Sequence, residues 1–97
     1  MILDDLLKRI KERRSAPKQN SYVSCLLAKG HDEILKKIGE EAIEVIVASK
    51  AGSREQTIHE LADLWFHCMV LIAEKDLSHK DILDELERRY NIKEDGQ

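Results

Sequence analysis

The chain has 97 residues, of which 42% are hydrophobic and 36% are charged. This composition suits one globular domain over residues 1–97, near the lower size limit for burying an adequate core alone, so a homodimer is expected. The net charge of -3 creates no overall field that would recruit nucleic acid or an anionic membrane, and neither is expected as a partner.

The cysteines, the first residues and the apolar runs of the chain indicate its cellular compartment. Cys25 and Cys68 show no CxxC or Cys/His spacing, which argues against a disulfide framework or a zinc site. The first residues run directly into acids and do not resemble a signal peptide, and the apolar run 64–73 is too short to cross a bilayer. A cytoplasmic location is therefore expected.

Helical periodicity dominates the chain, so the sequence predicts an all-α fold. The predicted helical segments cover residues 2–13, 21–28 (a short helix or a turn), 33–50, 53–75 and the stretch from 78 towards 90. A loop is predicted at 17–20, beginning with the only proline, and the tail 93–97 is expected to fray.

Small polar residues and glycines mark the predicted helix ends. Asp32 is the expected cap of the third helix, and Ser53 with Gln56 has the spacing of a capping box for the fourth. Gly30 and Gly52 are expected to end helices. The short connection after Gly52 makes the two long helices an antiparallel hairpin. Because this hairpin is apolar on more sides than one chain covers, dimerisation should complete a four-helix-bundle-like core.

Two pairs of acids lie on these long, otherwise strongly apolar helices. Glu41 and Glu44 form one pair and Glu60 and Asp63 the other, each with the i, i+3 spacing that points both members to one helix face. Converging carboxylates repel one another and take up protons unless a cation compensates them. A solvated helix face accounts for one such pair, but two pairs on the only polar stripes indicate a metal site.

All-carboxylate ligation favours a hard cation, Mg²⁺ or alternatively Mn²⁺, because Zn²⁺ sites prefer histidine and cysteine. Magnesium sites commonly combine protein carboxylates with substrate phosphates, so a phosphate-bearing substrate is expected.

His67 falls on the same stripe, where a hydrogen-bonded core histidine is favoured over a metal ligand. Solvated positions are expected for the other histidines, which are His31, His59 and His79. Trp65 and Phe66 are expected in the core or in a dimer interface.

Three stretches carry a resemblance to a known family: Ser21-Tyr22, the run ILKKIGEEAIEV at 34–45, and ELADLWFH at 60–67. Together they resemble the phosphoribosyl-ATP pyrophosphohydrolases of histidine biosynthesis, over nearly the whole chain. The acid pairs by themselves are shared with a wider, MazG-like superfamily of all-α nucleotide pyrophosphohydrolases, which includes dimeric dUTPases. The KKxGEEAxE string and the upstream Ser-Tyr narrow the resemblance.

The resemblance implies an enzyme that hydrolyses a small-molecule nucleotide, 1-(5-phosphoribosyl)-ATP, to 1-(5-phosphoribosyl)-AMP and pyrophosphate. The implied catalytic and Mg²⁺-binding residues are Glu41, Glu44, Glu60 and Asp63. One of these carboxylates, or Glu40 beside them, would accept the proton of the attacking water.

Substrate contacts are implied at Lys37, Ser21, Tyr22 and Glu40. Lys37 lies one turn before Glu41 and is a candidate phosphate contact, with an ion pair to Glu41 as the alternative. Ser21 and Tyr22 are assigned to the phosphoribosyl end on the resemblance, with capping or packing as the alternative. Two other functions stay open: a house-cleaning nucleoside triphosphate pyrophosphohydrolase of the MazG type, and a non-catalytic helical dimerisation module.

Overall fold

The computed structural model describes residues 1–90, and within that range the chain forms five α-helices and no strand. The helices are α1 (Ile2–Ser15), α2 (Tyr22–Lys29), α3 (His31–Ala51), α4 (Arg54–Glu74) and α5 (His79–Tyr90). The predicted all-α class is confirmed, and the predicted tail at 93–97 lies outside the described residues. Among the described residues, no helix combines the length and apolar character that a bilayer crossing needs.

A single glycine joins α2 to α3. Gly30 has a φ of +103°, a conformation that favours glycine, and its N–H donates to the Leu26 carbonyl at 3.3 Å. Its own carbonyl accepts from the Ile34 N–H at 3.2 Å, so α3 begins directly at His31. The prediction that Asp32 caps α3 is therefore wrong. Asp32 lies inside the first turn, where its charge still interacts favourably with the helix dipole.

The hairpin of α3 and α4 is closed by hydrogen bonds at its turn. The Ser53 hydroxyl accepts from the Gln56 N–H at 3.2 Å, and the Gln56 side-chain oxygen accepts from the Ser53 N–H at 2.8 Å, which confirms the capping box. The Thr57 hydroxyl donates to the Ala48 carbonyl at 3.3 Å. Each helix of the hairpin has 21 residues and is therefore about 31 Å long.

The core lies at the end of the hairpin opposite its turn. Ile34, at the start of α3, and Val70 and Ala73, near the end of α4, are completely buried, because α1 and α2 pack over them. The buried core residues are Leu7, Ile10, Leu26, Ile34, Met69, Val70 and Ala73. The core thus covers only one half of the hairpin.

The other half of the hairpin, next to the turn, is apolar but uncovered. Its large side chains are 39–61% exposed. We call them the distal apolar surface, which consists of Ile43, Ile46, Val47, Ile58, Leu61 and Trp65. Trp65 therefore lies outside the core of the subunit, whereas Phe66 packs against it.

A buried histidine ties α5 to α1. His79 is 4% exposed, and its Nε2 lies 2.9 Å from an oxygen of Asp4. The expectation of a solvated His79 is wrong, because its partner comes from the other end of the described chain. At the start of α5 the Asp81 carboxylate accepts from the Ser78 N–H at 2.9 Å, which satisfies an end group that the helix leaves unpaired.

Candidate metal and nucleotide site

The second acid pair converges with a histidine on the surface of α4. His59, Glu60 and Asp63 each offer a ligand atom, and these atoms lie within 4.8 Å of one another. The His59 Nε2 is 3.4 Å from an Asp63 oxygen. The i, i+4 spacing of His59 and Asp63 places them on one face, with Glu60 beside them. This cluster has the donors and dimensions of a cation site.

The first acid pair faces this cluster across the hairpin. Glu44 and Glu60 line one groove of about 250 Å³, which also includes Ala48, Gly52 and Gln56 near the turn. Glu41 lies one turn of α3 farther from the connection, as the antiparallel geometry requires. Only 13% of its side chain is exposed, so this carboxylate is held among protein groups.

Electrostatics link all four acids. The pKa of Glu60 is raised above its ordinary value, first by loss of solvent and then by the charge of Asp63, with Glu41 and Glu44 acting in the same direction. The neighbouring His59 opposes this shift. Glu60 is therefore harder to ionise than a free carboxyl group, first because it has lost solvent and then because other carboxylates lie near it.

Lys37 lies beside Glu41 of the first pair. Its Nζ lies 3.5 Å from a Glu40 oxygen and 3.8 Å from a Glu41 oxygen, and 27% of the side chain is exposed. Proximity to the Tyr22 phenol is the largest influence that raises the pKa of Lys37, and the Glu40 and Glu41 carboxylates add to it. The ion pair with Glu41, raised from the sequence as the alternative to a phosphate contact, is present together with one to Glu40.

Tyr22 lies beside the acids, whereas the contacts of Ser21 are local. The Ser21 hydroxyl accepts from the Ser24 N–H at 3.1 Å and caps α2, which is the alternative raised from the sequence. Burial raises the pKa of Tyr22; Lys37 counteracts this, while Glu41 and Asp63 reinforce it. The Tyr22 ring packs against Phe66, with ring centroids 6.3 Å apart.

His67 connects Tyr22 to α4. The ring is buried, with 5% of the residue exposed. Its Nε2 lies 2.7 Å from the Tyr22 hydroxyl, and its Nδ1 lies 2.7 Å from the Asp63 carbonyl. His67 is thus the hydrogen-bonded core histidine that the sequence favoured, and it reaches the last acid of the cluster through the main chain.

Comparison with known proteins agrees with this arrangement. A family model described as phosphoribosyl-ATP pyrophosphohydrolase matches residues 3–90. The chain belongs to the phosphoribosyl-ATP pyrophosphohydrolase family. A phosphoribosyl-ATP pyrophosphatase of Nitrosomonas eutropha is 50% identical over 91 residues, which are 94% of this chain and 78% of that protein. The corresponding protein of Geotalea daltonii is 48% identical over 94% of this chain and 86% of its own length.

Another relative is longer. The histidine biosynthesis bifunctional protein HisIE of Caldanaerobacter subterraneus is 51% identical over 92% of this chain, but the match spans only 43% of that protein. Membership of the phosphoribosyl-ATP pyrophosphohydrolase family rests on the domain that these proteins share.

The sequence did not predict that His59 joins the cluster of acids on α4. His59 was expected to be solvated, and its side chain is indeed 72% exposed, but it also lies within reach of Asp63. The signal was its spacing, because His59 precedes Asp63 by four residues and therefore shares a helix face with it.

Proposed function

We propose that the chain hydrolyses 1-(5-phosphoribosyl)-ATP to 1-(5-phosphoribosyl)-AMP and pyrophosphate, the second step of histidine biosynthesis. The observation that carries the proposal is the convergence of two acid pairs across one hairpin, with Lys37 and Tyr22 beside them. Family membership supports the reaction class, a hydrolase acting on a phosphoanhydride. Two named relatives at about half identity support the choice of substrate.

Mg²⁺, or Mn²⁺ in its place, is the proposed cofactor, and its proposed ligands are Glu41, Glu44, Glu60 and Asp63. The donor chemistry fits, because all four are carboxylates. The charges of Asp63, Glu41 and Glu44 add to the loss of solvent that raises the pKa of Glu60, and a cation would compensate these charges. His59 is a nitrogen donor and mostly exposed, so we assign it a hydrogen bond to Asp63 rather than a place among the ligands. When bound, the cation would supply charge neutralisation and Lewis acidity at the phosphoanhydride.

Residues around the proposed cation would accept the proton of the attacking water and bind the substrate. Water attacks the α-phosphorus while pyrophosphate leaves, and a carboxylate of the set or the nearby Glu40 accepts the proton. Glu40 can reach a water molecule because 49% of its side chain is exposed. Lys37 would exchange its carboxylate partners for a substrate phosphate. Ser21 and Tyr22 are assigned to the phosphoribosyl end.

A homodimer completes the proposal. The distal apolar surface supports it, because a subunit by itself leaves six large side chains of the hairpin uncovered. Two hairpins packed through these surfaces would form a four-helix-bundle-like core next to the acids.

We further propose that residues 1–97 are one domain, and that the chain works in the cytoplasm without nucleic acid or membrane partners. The free thiols of Cys25 and Cys68 support the reducing compartment.

A substrate panel tests the reaction. Purified protein is assayed for pyrophosphate release from phosphoribosyl-ATP, ATP and dUTP at equal Mg²⁺, with Glu41→Gln as the matched inactive control. We expect phosphoribosyl-ATP to be far the best substrate, because its additional phosphoribosyl group supplies binding energy that orients the scissile phosphate. Comparable rates on ATP would indicate a MazG-type house-cleaning enzyme, and no hydrolysis at all would favour the dimerisation module.

A further inference from the structure

The polarity of the two hydrogen bonds at His67 follows from the chemistry of its partners. A backbone carbonyl has no proton, so at the Asp63 carbonyl, 2.7 Å away, the Nδ1 must be the donor. In a neutral ring whose proton is on Nδ1, the Nε2 carries no proton and can only accept a hydrogen bond. The Tyr22 hydroxyl, 2.7 Å from Nε2, must therefore donate its proton to His67.

This polarity decides what Tyr22 can offer to a ligand. A phenol has one proton, and here that proton is directed at His67, so the oxygen has only acceptor capacity left. Tyr22 is 51% exposed overall, which leaves it accessible from solvent. The T-shaped contact with His67, at 5.7 Å between centroids, and the tilted contact with Phe66 limit movement of the ring.

We propose that His67 is a positioning residue that presents the Tyr22 oxygen as a hydrogen-bond acceptor to a neutral hydroxyl of the substrate. The inference rests on the proposed function and refines it. A phosphate oxygen facing Tyr22 would meet a lone pair, whereas a ribosyl hydroxyl can donate to it. With Tyr22 assigned to the phosphoribosyl end, its oxygen accepts from a hydroxyl of that sugar, and Lys37, whose charge acts on Tyr22, remains for the phosphate.

The first test is spectroscopic and needs no substrate. NMR of ¹⁵N-histidine-labelled protein distinguishes imidazole tautomers by their nitrogen shifts, and the His67→Phe variant identifies the resonances of His67. We expect a neutral ring protonated at Nδ1 in the wild type. Protonation at Nε2, whether alone or together with Nδ1, would overturn the inference, because Tyr22 would then accept from His67 and would keep its proton for the ligand.

The second test is a double-mutant cycle on kcat/KM for phosphoribosyl-ATP. Tyr22→Phe removes the acceptor, and His67→Phe removes its orientation while keeping an aromatic ring of similar size in the core. Each should lower kcat/KM roughly three- to tenfold, the range expected for one hydrogen bond. The double variant should be no worse than Tyr22→Phe alone, because His67 acts through Tyr22. Hydrolysis of ATP, which lacks the additional phosphoribosyl group, should fall less than that of phosphoribosyl-ATP in Tyr22→Phe, so the preference for phosphoribosyl-ATP should narrow.

A matched control uses the other buried histidine. His79→Phe makes the same substitution at a ring that is 4% exposed and bonded to Asp4, so it should change thermal stability without changing the preference for phosphoribosyl-ATP over ATP. Additive losses in the cycle would overturn the inference. If His67→Phe fails to fold, Tyr22→Phe decides: an unchanged preference between the two substrates contradicts the proposal. A wild type that is inactive on phosphoribosyl-ATP overturns the proposed function instead. The NMR measurement of the His67 tautomer still tests the direction of the two hydrogen bonds in that case.

Discussion

The distal apolar surface makes a quantitative prediction about Ile46. Full burial of a large apolar side chain contributes roughly 1.5 to 3 kcal/mol. The six side chains of this surface are about half exposed, so covering them in both subunits would contribute roughly 9 to 18 kcal/mol. Association costs on the order of 4 to 15 kcal/mol, so this surface is large enough to hold a dimer together.

Replacing Ile46 by glutamate should disrupt that dimer. Ile46 is 61% exposed in the subunit, so its two copies account for roughly 3 kcal/mol of the association energy. Their loss weakens dimerisation by about a hundredfold, and the desolvation of two carboxylates weakens it further. Sedimentation velocity at micromolar concentration should show a dimer for the wild type and a monomer for Ile46→Glu, with activity lost in parallel.

Two comparisons sharpen this experiment. Ile2→Glu is the matched control, because Ile2 is 74% exposed on α1 and lies outside the distal apolar surface, so the dimer should persist. Met69→Glu is unsuitable as an interface variant, since Met69 is only 4% exposed and belongs to the subunit core. An active wild-type monomer at micromolar concentration would refute the reasoning.

Three further predictions concern the metal site and the hairpin. Chelation should abolish hydrolysis, and Mg²⁺ should raise the Tm of the wild type but not of Glu41→Gln or Asp63→Asn; a wild-type Tm insensitive to Mg²⁺ would count against these ligands. The raised pKa of Glu60 means that the folded protein holds its proton more tightly than the unfolded chain. In chelator, the free energy of unfolding should therefore fall as pH rises from the ordinary carboxyl range through the pKa of Glu60. Thermal melts of Glu60→Gln against pH should lack this component, and identical pH profiles would contradict it. Ser53→Ala should lower the free energy of unfolding by about 0.5 to 2 kcal/mol through loss of the capping box, while Ser49→Ala, at an exposed position inside α3, should not; denaturant titrations compare the two.

The helices and the pairing of acids could be read from the sequence because both depend on short-range geometry. A period of 3.6 residues places Glu41 with Glu44, and Glu60 with Asp63, on single faces whatever the rest of the chain does. The capping box of Ser53 and Gln56 is equally local, since both partners lie within one turn. The expected core histidine at His67 also followed from its position on an apolar helix.

Only the tertiary structure decided which groups meet across elements. His79 is buried because Asp4, 75 residues away, lies against it, and no local pattern encodes such a contact. Asp32 lost the capping role because the left-handed conformation of Gly30 starts α3 two residues before the predicted first residue. The hydrogen bond between Tyr22 and His67 likewise depends on packing α2 against α4, which brings a phenol, an imidazole and a backbone carbonyl into one line of hydrogen bonds. Spacing along a helix determines which residues share a face, whereas packing between helices determines what that face contacts.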